Sequence, residues 1–139
     1  MNPLNGYVGY ALRRAQGVIF ADFNDTLSRL DLRPGQFAVL ALIDQNPGTT
    51  QSSVSTALGI QKANFVATIA DLEDRGFVVR RKSASDGRSY ALDLTARGRR
   101  LLQRAAQLQS VHEARVIERL GTAGRQQLLD LLDKLSDLR

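Results

Sequence analysis

Among the side chains able to do chemistry, cations are the ones this sequence concentrates. Nine basic residues lie between Arg75 and Arg104 (Arg75, Arg80, Arg81, Lys82, Arg88, Arg97, Arg99, Arg100 and Arg104), against only Asp86 and Asp93. That segment has a local excess of +7 in a chain whose formal net charge is +5, so the remainder sums to −2. Clustered cations are the electrostatic footprint of a surface that meets phosphate, although a solvated basic face without a partner has the same composition. Other chemistry is thinly supplied. There is no cysteine, which removes disulfides, thiolate metal sites and a cysteine nucleophile, and there is one histidine, His112. A lone histidine cannot build a zinc site by itself, so a structural or interface residue is the simpler reading of His112, with a pH or ligand contact as the alternative. With no phosphate loop and no paired-carboxylate motif, no catalytic constellation is left, and no enzyme, metal or cofactor is expected.

These cations need a scaffold, and 139 residues, 43% of them hydrophobic, suffice for one domain with a single core. The longest wholly apolar run, Phe37 to Ile43, is far too short to cross a bilayer. The opening Met1-Asn2-Pro3-Leu4-Asn5-Gly6 is polar and turn-like rather than an export signal, so a cytoplasmic protein without a membrane partner is expected. Apolar residues at three- and four-residue steps (Val8, Leu12, Ala15, Ile19, Phe23, Leu27, Leu30) predict a long helix from Leu4 to Leu30 with a core-like face. Tyr7, Tyr10, Ala11, Val18 and Phe20 lie off that stripe and suggest burial against a second chain. A second helix is expected from Gln36 to Gln45. A short third one, capped by Thr50, runs through Ala57 and is broken at Gly59. The next helix, Lys62 to Arg75, is buried through Phe65, Ile69 and Leu72 and stopped by Gly76.

Beyond Gly76 the period changes. Phe77 to Lys82 and Tyr90 to Leu94 read as strands around a turn at Ser83 to Gly87. Thr95 then caps a long helix to about Arg119, and Gly121-Thr122 separates it from a leucine-rich last helix. The predicted fold is mainly α with a small β-hairpin. Residues 1–139 form a single chain unit, in which 32–94 make a winged helix-turn-helix lobe flanked by long helices in 1–31 and 95–139. This order of elements suits double-stranded DNA sterically, because one helix fits the major groove, its predecessor braces it, and the hairpin extends a basic tip along the backbone or into the minor groove.

On the helix that would enter the groove, Ala63, Ala67 and Ala70 form the outward line, flanked by Lys62, Asn64 and Val66. Small side chains permit close approach and contact with thymine methyls, Asn64 could pair with adenine, and Gln61 or Lys62 with guanine or phosphate. Alternatively the alanines only favour helix, and DNA shape and the wing supply specificity. Arg80, Arg81 and Lys82, at the wing root, suit phosphate anchoring better than base reading.

Leu58-Gly59-Ile60, Leu72-Glu73-Asp74-Arg75-Gly76-Phe77-Val78, Asp86-Gly87-Arg88 and Leu92-Asp93-Leu94-Thr95-Ala96-Arg97-Gly98 occur in the order and spacing of MarR-family regulators, which the chain resembles over nearly its whole length. The resemblance implies a homodimeric transcription regulator with 1–31 and 95–139 as its dimerisation helices, a ligand-responsive repressor of a pseudo-palindromic operator. It makes Arg88 the wing-tip arginine that enters the minor groove, with Asp86 orienting it or bracing the hairpin; an exposed turn ion pair is the plainer alternative. Family members commonly carry serine, threonine or arginine where Ala63 and Ala67 stand. The resemblance also implies an effector, a small anionic aromatic compound or its acyl thioester, bound where the dimerisation helices meet the DNA-binding lobe. Tyr7, Tyr10, Arg13 and Arg14, with His112, are the candidates for it, the tyrosines stacking and the arginines pairing a carboxylate or phosphate. A dimer-interface role for the same cluster stays open, and the rival for the whole chain is a winged-helix protein-interaction module without specific DNA binding.

Overall fold

A computed structural model describes residues 2–82 and 90–139. Its elements are α1 (Val8–Leu27), α2 (Pro34–Gln45), β1 (Thr49–Thr50), α3 (Gln51–Leu58), α4 (Lys62–Asp74), β2 (Val78–Lys82), β3 (Tyr90–Leu94) and α5 (Ala96–Ser136). The mainly helical winged helix-turn-helix arrangement expected from the sequence is the one observed.

Local chemistry sets most boundaries. The first helix is not continuous from Leu4 to Leu30: Pro3–Gly6 and Ser28–Leu30 are 3-10 turns flanking α1. The first turn is capped by the Asn2 side chain, which accepts from Leu4 N, and it ends because Tyr7 is extended (φ −106°, ψ 132°). Helix α2 starts two residues earlier than expected, with Pro34 in its first turn, where the missing amide donor costs nothing. Thr50 caps α3 by accepting from Ser53 N, and Gly59 ends it in the left-handed conformation (φ 64°). Helix α5 runs as one span interrupted at Gly121 (φ 76°, ψ 163°), which is the expected break between the last two helices.

The expected hairpin is part of a three-stranded sheet in the order β1-β3-β2. Thr49 and Thr50 pair antiparallel with Leu92 and Ala91, and Val78 to Lys82 pair with Leu94 to Tyr90. A two-residue strand is too short to show a period, so only the fold discloses β1. Gly48 N, just before it, donates to Leu92 O (3.0 Å) and to Asp93 Oδ1 (2.8 Å).

One core joins the parts. Leu27 of α1, Val39, Leu40 and Ile43 of α2, Phe65, Ile69 and Leu72 of α4, Leu92 of β3, and Leu101 and Ala105 of α5 belong to one buried cluster. The stripe on α1 does not all enter it. Leu27 is the buried residue of that helix, whereas Val8 and Ile19 are 63% and 41% exposed, so the core-like face predicted from Val8 onward is corrected. Periodicity identifies an apolar face but not what covers it, and among the described residues the first half of α1 is left exposed. Among the described residues no helix is long and apolar enough to cross a membrane, and no cluster of three potential metal ligands occurs.

Candidate nucleic-acid interface

Helix α4 divides cleanly into two faces. Phe65, Ile69 and Leu72, spaced four and three apart, are 2%, 1% and 0% exposed, which pins the helix against α2 and the sheet. Rotation about its axis would bring apolar bulk into water, so the opposite face is fixed outward. Ala63, Asn64, Val66 and Ala67 are exposed on the remainder of the helix, Lys62 is its first residue, and Gln61 is the exposed N-cap residue before it. The Thr68 hydroxyl donates to Asn64 O (3.0 Å), so it is turned back onto the helix backbone. At the other end of α4, Gln36 Nε2 of α2 donates to Asp71 Oδ2 (2.8 Å) while its Oε1 accepts from Arg33 N (3.0 Å), bracing α2 and α4 together.

The wing root is basic but internally paired. Arg80 lies over the Tyr90 ring at 4.7 Å and 3.5 Å from Glu73 Oε1 of α4. Arg81, on the other face of β2, holds Asp93 Oδ2 at 2.8 Å, and its side chain is 65% exposed. Lys82 closes the strand, exposed. Exposed ion pairs of this kind are worth under about 1 kcal/mol, so exchanging a carboxylate for a phosphate costs little. Asp86 and Arg88 lie outside the described residues. Asp93 and Glu73 fall within the quoted signatures, but the sequence assigns them no partner; the structure pairs them with Arg81, across the β2–β3 pair, and with Arg80, beyond the end of α4.

The residues expected to form an effector site are divided by the structure. Tyr7 and Tyr10 meet edge to face at 6.4 Å, Arg14 Nη1 donates to Asn5 Oδ1 (2.8 Å), and these residues and Arg13 are exposed near the start of α1. His112 is elsewhere. It is 4% exposed, stacks on Phe23 at 5.2 Å, and its Nδ1 lies 2.6 Å from Asp22 Oδ2, roughly 18 Å along α1 from Tyr10 at the usual helical rise. Arg115 Nη1 donates to Asp22 Oδ1 (3.0 Å) and Thr26 Oγ1 (3.2 Å). The His112 hydrogen bond, with the Arg115 hydrogen bond and charge, holds the Asp22 carboxyl below its ordinary value against the desolvation that raises it. This network ties α1 to α5 across 90 residues of sequence, a separation that leaves no local signal.

Two faces of α4, a glycine turn before it and a strand pair after it define a winged helix-turn-helix protein flanked by long helices. The MarR family profile matches residues 30–89. A putative transcriptional regulatory protein for the hcr operon of Thauera aromatica is 33% identical over 131 residues, spanning 94% of this chain and 79% of that protein. An HTH-type transcriptional repressor of Mycobacterium tuberculosis is also 33% identical, over 92% of both chains. The chain belongs to the MarR family. Among solved structures, the transcriptional repressor CouR bound to a 23-mer DNA duplex superposes with a TM-score of 0.94 at 45% identity, covering 98% of this chain and 96% of that one. CouR bound to p-coumaroyl-CoA gives a TM-score of 0.90 at 43% identity, covering 99% and 96%.

Proposed function

We propose that this chain is a ligand-responsive transcriptional repressor that binds a pseudo-palindromic operator as a homodimer. The observation that carries the reading is the division of α4, with Phe65, Ile69 and Leu72 locked inward, Ala63, Asn64 and Ala67 held outward and Gln61 exposed at its N-cap, beside a cationic strand pair. Residues 32–94 are the DNA-binding lobe, and 1–31 with 95–139 are the dimerisation helices. Two such lobes would place their α4 helices in successive major grooves, with half-sites about 10–10.5 bp apart or a multiple of that. Lys62 and Asn64 contact bases or phosphate, Ala63 and Ala67 contact methyl groups, Arg80, Arg81 and Lys82 anchor phosphates, and Arg88, oriented by Asp86, enters the minor groove.

The homodimer is supported by exposed apolar surface: Tyr7 just before α1, Val18 and Phe20 on it, Leu131 on α5 and Leu138 just after it are all at least 47% exposed. Likeness to CouR, solved with DNA and with p-coumaroyl-CoA, supports an anionic aromatic acid or its acyl thioester as effector. Tyr7, Tyr10, Arg13 and Arg14 remain candidates for the aromatic end. His112, buried and engaged by Asp22, acts through the packing of α1 on α5. In a mobility assay at fixed salt, Arg88→Ala is expected to weaken specific binding by about 1–3 kcal/mol. Unchanged operator affinity would refute the role of Arg88; wild-type affinity insensitive to ionic strength would refute DNA binding through these cations and favour a protein-docking module.

A further inference from the structure

A second group of cations lies away from the face of α4 that reads DNA. Arg97, Arg100 and Arg104 follow one another at three- and four-residue steps along the start of α5, so they share one face, and Arg29 reaches the same place from the end of α1. Together they line a cleft of about 450 Å³ whose apolar walls include Phe77 and Leu101, 9% and 8% exposed. A smaller recess of about 150 Å³ shares Arg29 and Arg104 and continues toward Leu108. Among the described residues, none of these four arginines has a carboxylate within 4.0 Å. Asp31, the acid lining the cleft, has Arg75 at 4.0 Å instead.

The arrangement is electrostatically unfavourable as it stands. Like charges at three- and four-residue spacing repel along a helix, and Arg97 and Arg100 sit near the amino end of α5, where the helix dipole disfavours cations. An anion in the cleft offsets both effects. The walls argue for a small molecule over a duplex: the site is concave, has an apolar lining and falls within the usual volume range of ligand pockets. The cleft adjoins Phe77, beyond the carboxyl end of α4, and the helix places Lys62 and Asn64 at its other end, roughly 20 Å away. The Arg97 guanidinium is held over the nearly buried Phe77 ring at 5.3 Å, with Arg75 over the same ring at 5.1 Å, so the plane a base could stack on is that of Arg97, backed by the ring.

We infer that this cleft holds the phosphate-bearing nucleotide portion of an anionic ligand, with Arg29, Arg100 and Arg104 pairing its phosphates and the Arg97 guanidinium, backed by Phe77, flanking its base or ribose. For the source of that nucleotide the inference rests on the reading above, in which an acyl thioester of coenzyme A is the effector; for its chemistry it rests on the cleft alone. The ligand would bridge the end of α1, the start of α5 and the residue that opens the sheet, which is the seam between the two parts of the protein.

Calorimetry with coenzyme A and with adenosine 3′,5′-bisphosphate, beside a salt-controlled operator assay, tests it. Wild type is expected to bind coenzyme A, and the double variant Arg100→Gln, Arg104→Gln to bind it at least about ten-fold more weakly while keeping its operator affinity within about two-fold. Equal binding of the bisphosphate supports the cleft and makes a free nucleotide the ligand. Absence of heat with wild type, or an unchanged affinity in the double variant, overturns the inference while operator binding leaves the repressor intact. A parallel loss of operator affinity also overturns it, because the cations would then be contacting DNA. Wild type that binds coenzyme A but has no operator affinity even in its absence sinks the repressor reading and spares the cleft. Should the double variant fail to fold, Arg29→Gln carries the same expectation with a loss of about three-fold or more.

Discussion

Gly98→Ala should destabilise the protein at the joint between the winged helix-turn-helix lobe and α5. Gly98 is the third residue of α5, and a Cβ built on it would meet Phe77 O at 2.0 Å and Phe77 C at 3.0 Å. The obstacle is backbone, so no rotamer change relieves it. To restore even a tight 3.0 Å contact the two segments must part by about 1 Å. Phe77 O also accepts from Thr95 N (3.0 Å), and the Thr95 hydroxyl both donates to Gly76 O (2.6 Å) and accepts from Gly98 N (3.0 Å). Overpacking of this kind costs about 1–3 kcal/mol, and weakening one backbone hydrogen bond adds about 1 kcal/mol. Alanine recovers at most about 1 kcal/mol of helix propensity. The net expectation is a loss of about 1–3 kcal/mol, seen as a fall in Tm of roughly 3–10 °C at matched protein concentration. Circular-dichroism melts of the two proteins decide it. A variant as stable as wild type, or more so, would mean the seam relaxes without cost and that this close approach does not hold the lobe to α5.

Asp93→Asn keeps the side-chain oxygen that accepts from Gly48 N but releases Arg81 from its 2.8 Å ion pair. Operator affinity should rise, and the slope of log affinity against log salt should steepen by up to about one unit, because one more cation becomes free for phosphate; an unchanged slope would exclude Arg81 as an anchor. Asp22→Asn should lower stability at neutral pH by weakening the network with His112 and Arg115. Because the folded protein holds the Asp22 carboxyl below its ordinary value, its contribution is present above the ordinary carboxylate range and disappears as pH falls through the lowered value. The gap in Tm between wild type and variant should therefore be steady between about pH 7 and 5 and shrink below about 4. A gap that stays constant into acid would refute the ion pair.

The parts of this structure legible in the sequence are those governed by local rules. Phe65, Ile69 and Leu72 announce the inner face of α4 by spacing, and Gly59, Gly76 and Gly121, expected as breaks, have φ of 64°, 83° and 76°. Thr50 and Thr95 cap α3 and α5 as their positions imply. What escaped detection depends on contacts between distant segments. Strand β1 exists because β3 offers it an edge, and Asp22 and His112 meet only because α1 lies along α5. The stripe from Val8 to Ile19 does not join the core for the same reason: its period is correct, but among the described residues no segment packs over it. The candidate site was legible as a set of cations and small residues. Its internal pairing, Arg80 with Glu73 and Arg81 with Asp93, was not, since nothing local distinguishes a carboxylate that faces solvent from one that meets an arginine.

How an effector could act on DNA follows from what the core joins. Leu27 of α1 and Leu101 and Ala105 of α5 share a buried cluster with Phe65, Ile69 and Leu72 of α4, so the lobe and the adjoining parts of the long helices move as one packed body. A ligand at the seam between α1 and α5 therefore cannot slide α4 past α5 without opening that core. In the proposed homodimer it can change the separation of two such bodies, and only to the extent that it binds one separation better than another. The break at Gly121, where an added Cβ would meet nothing within 4 Å, divides the core-anchored part of α5 from its exposed leucine-rich end. Rotation there would reorient one lobe relative to its partner while leaving every contact that fixes the outward face of α4 undisturbed.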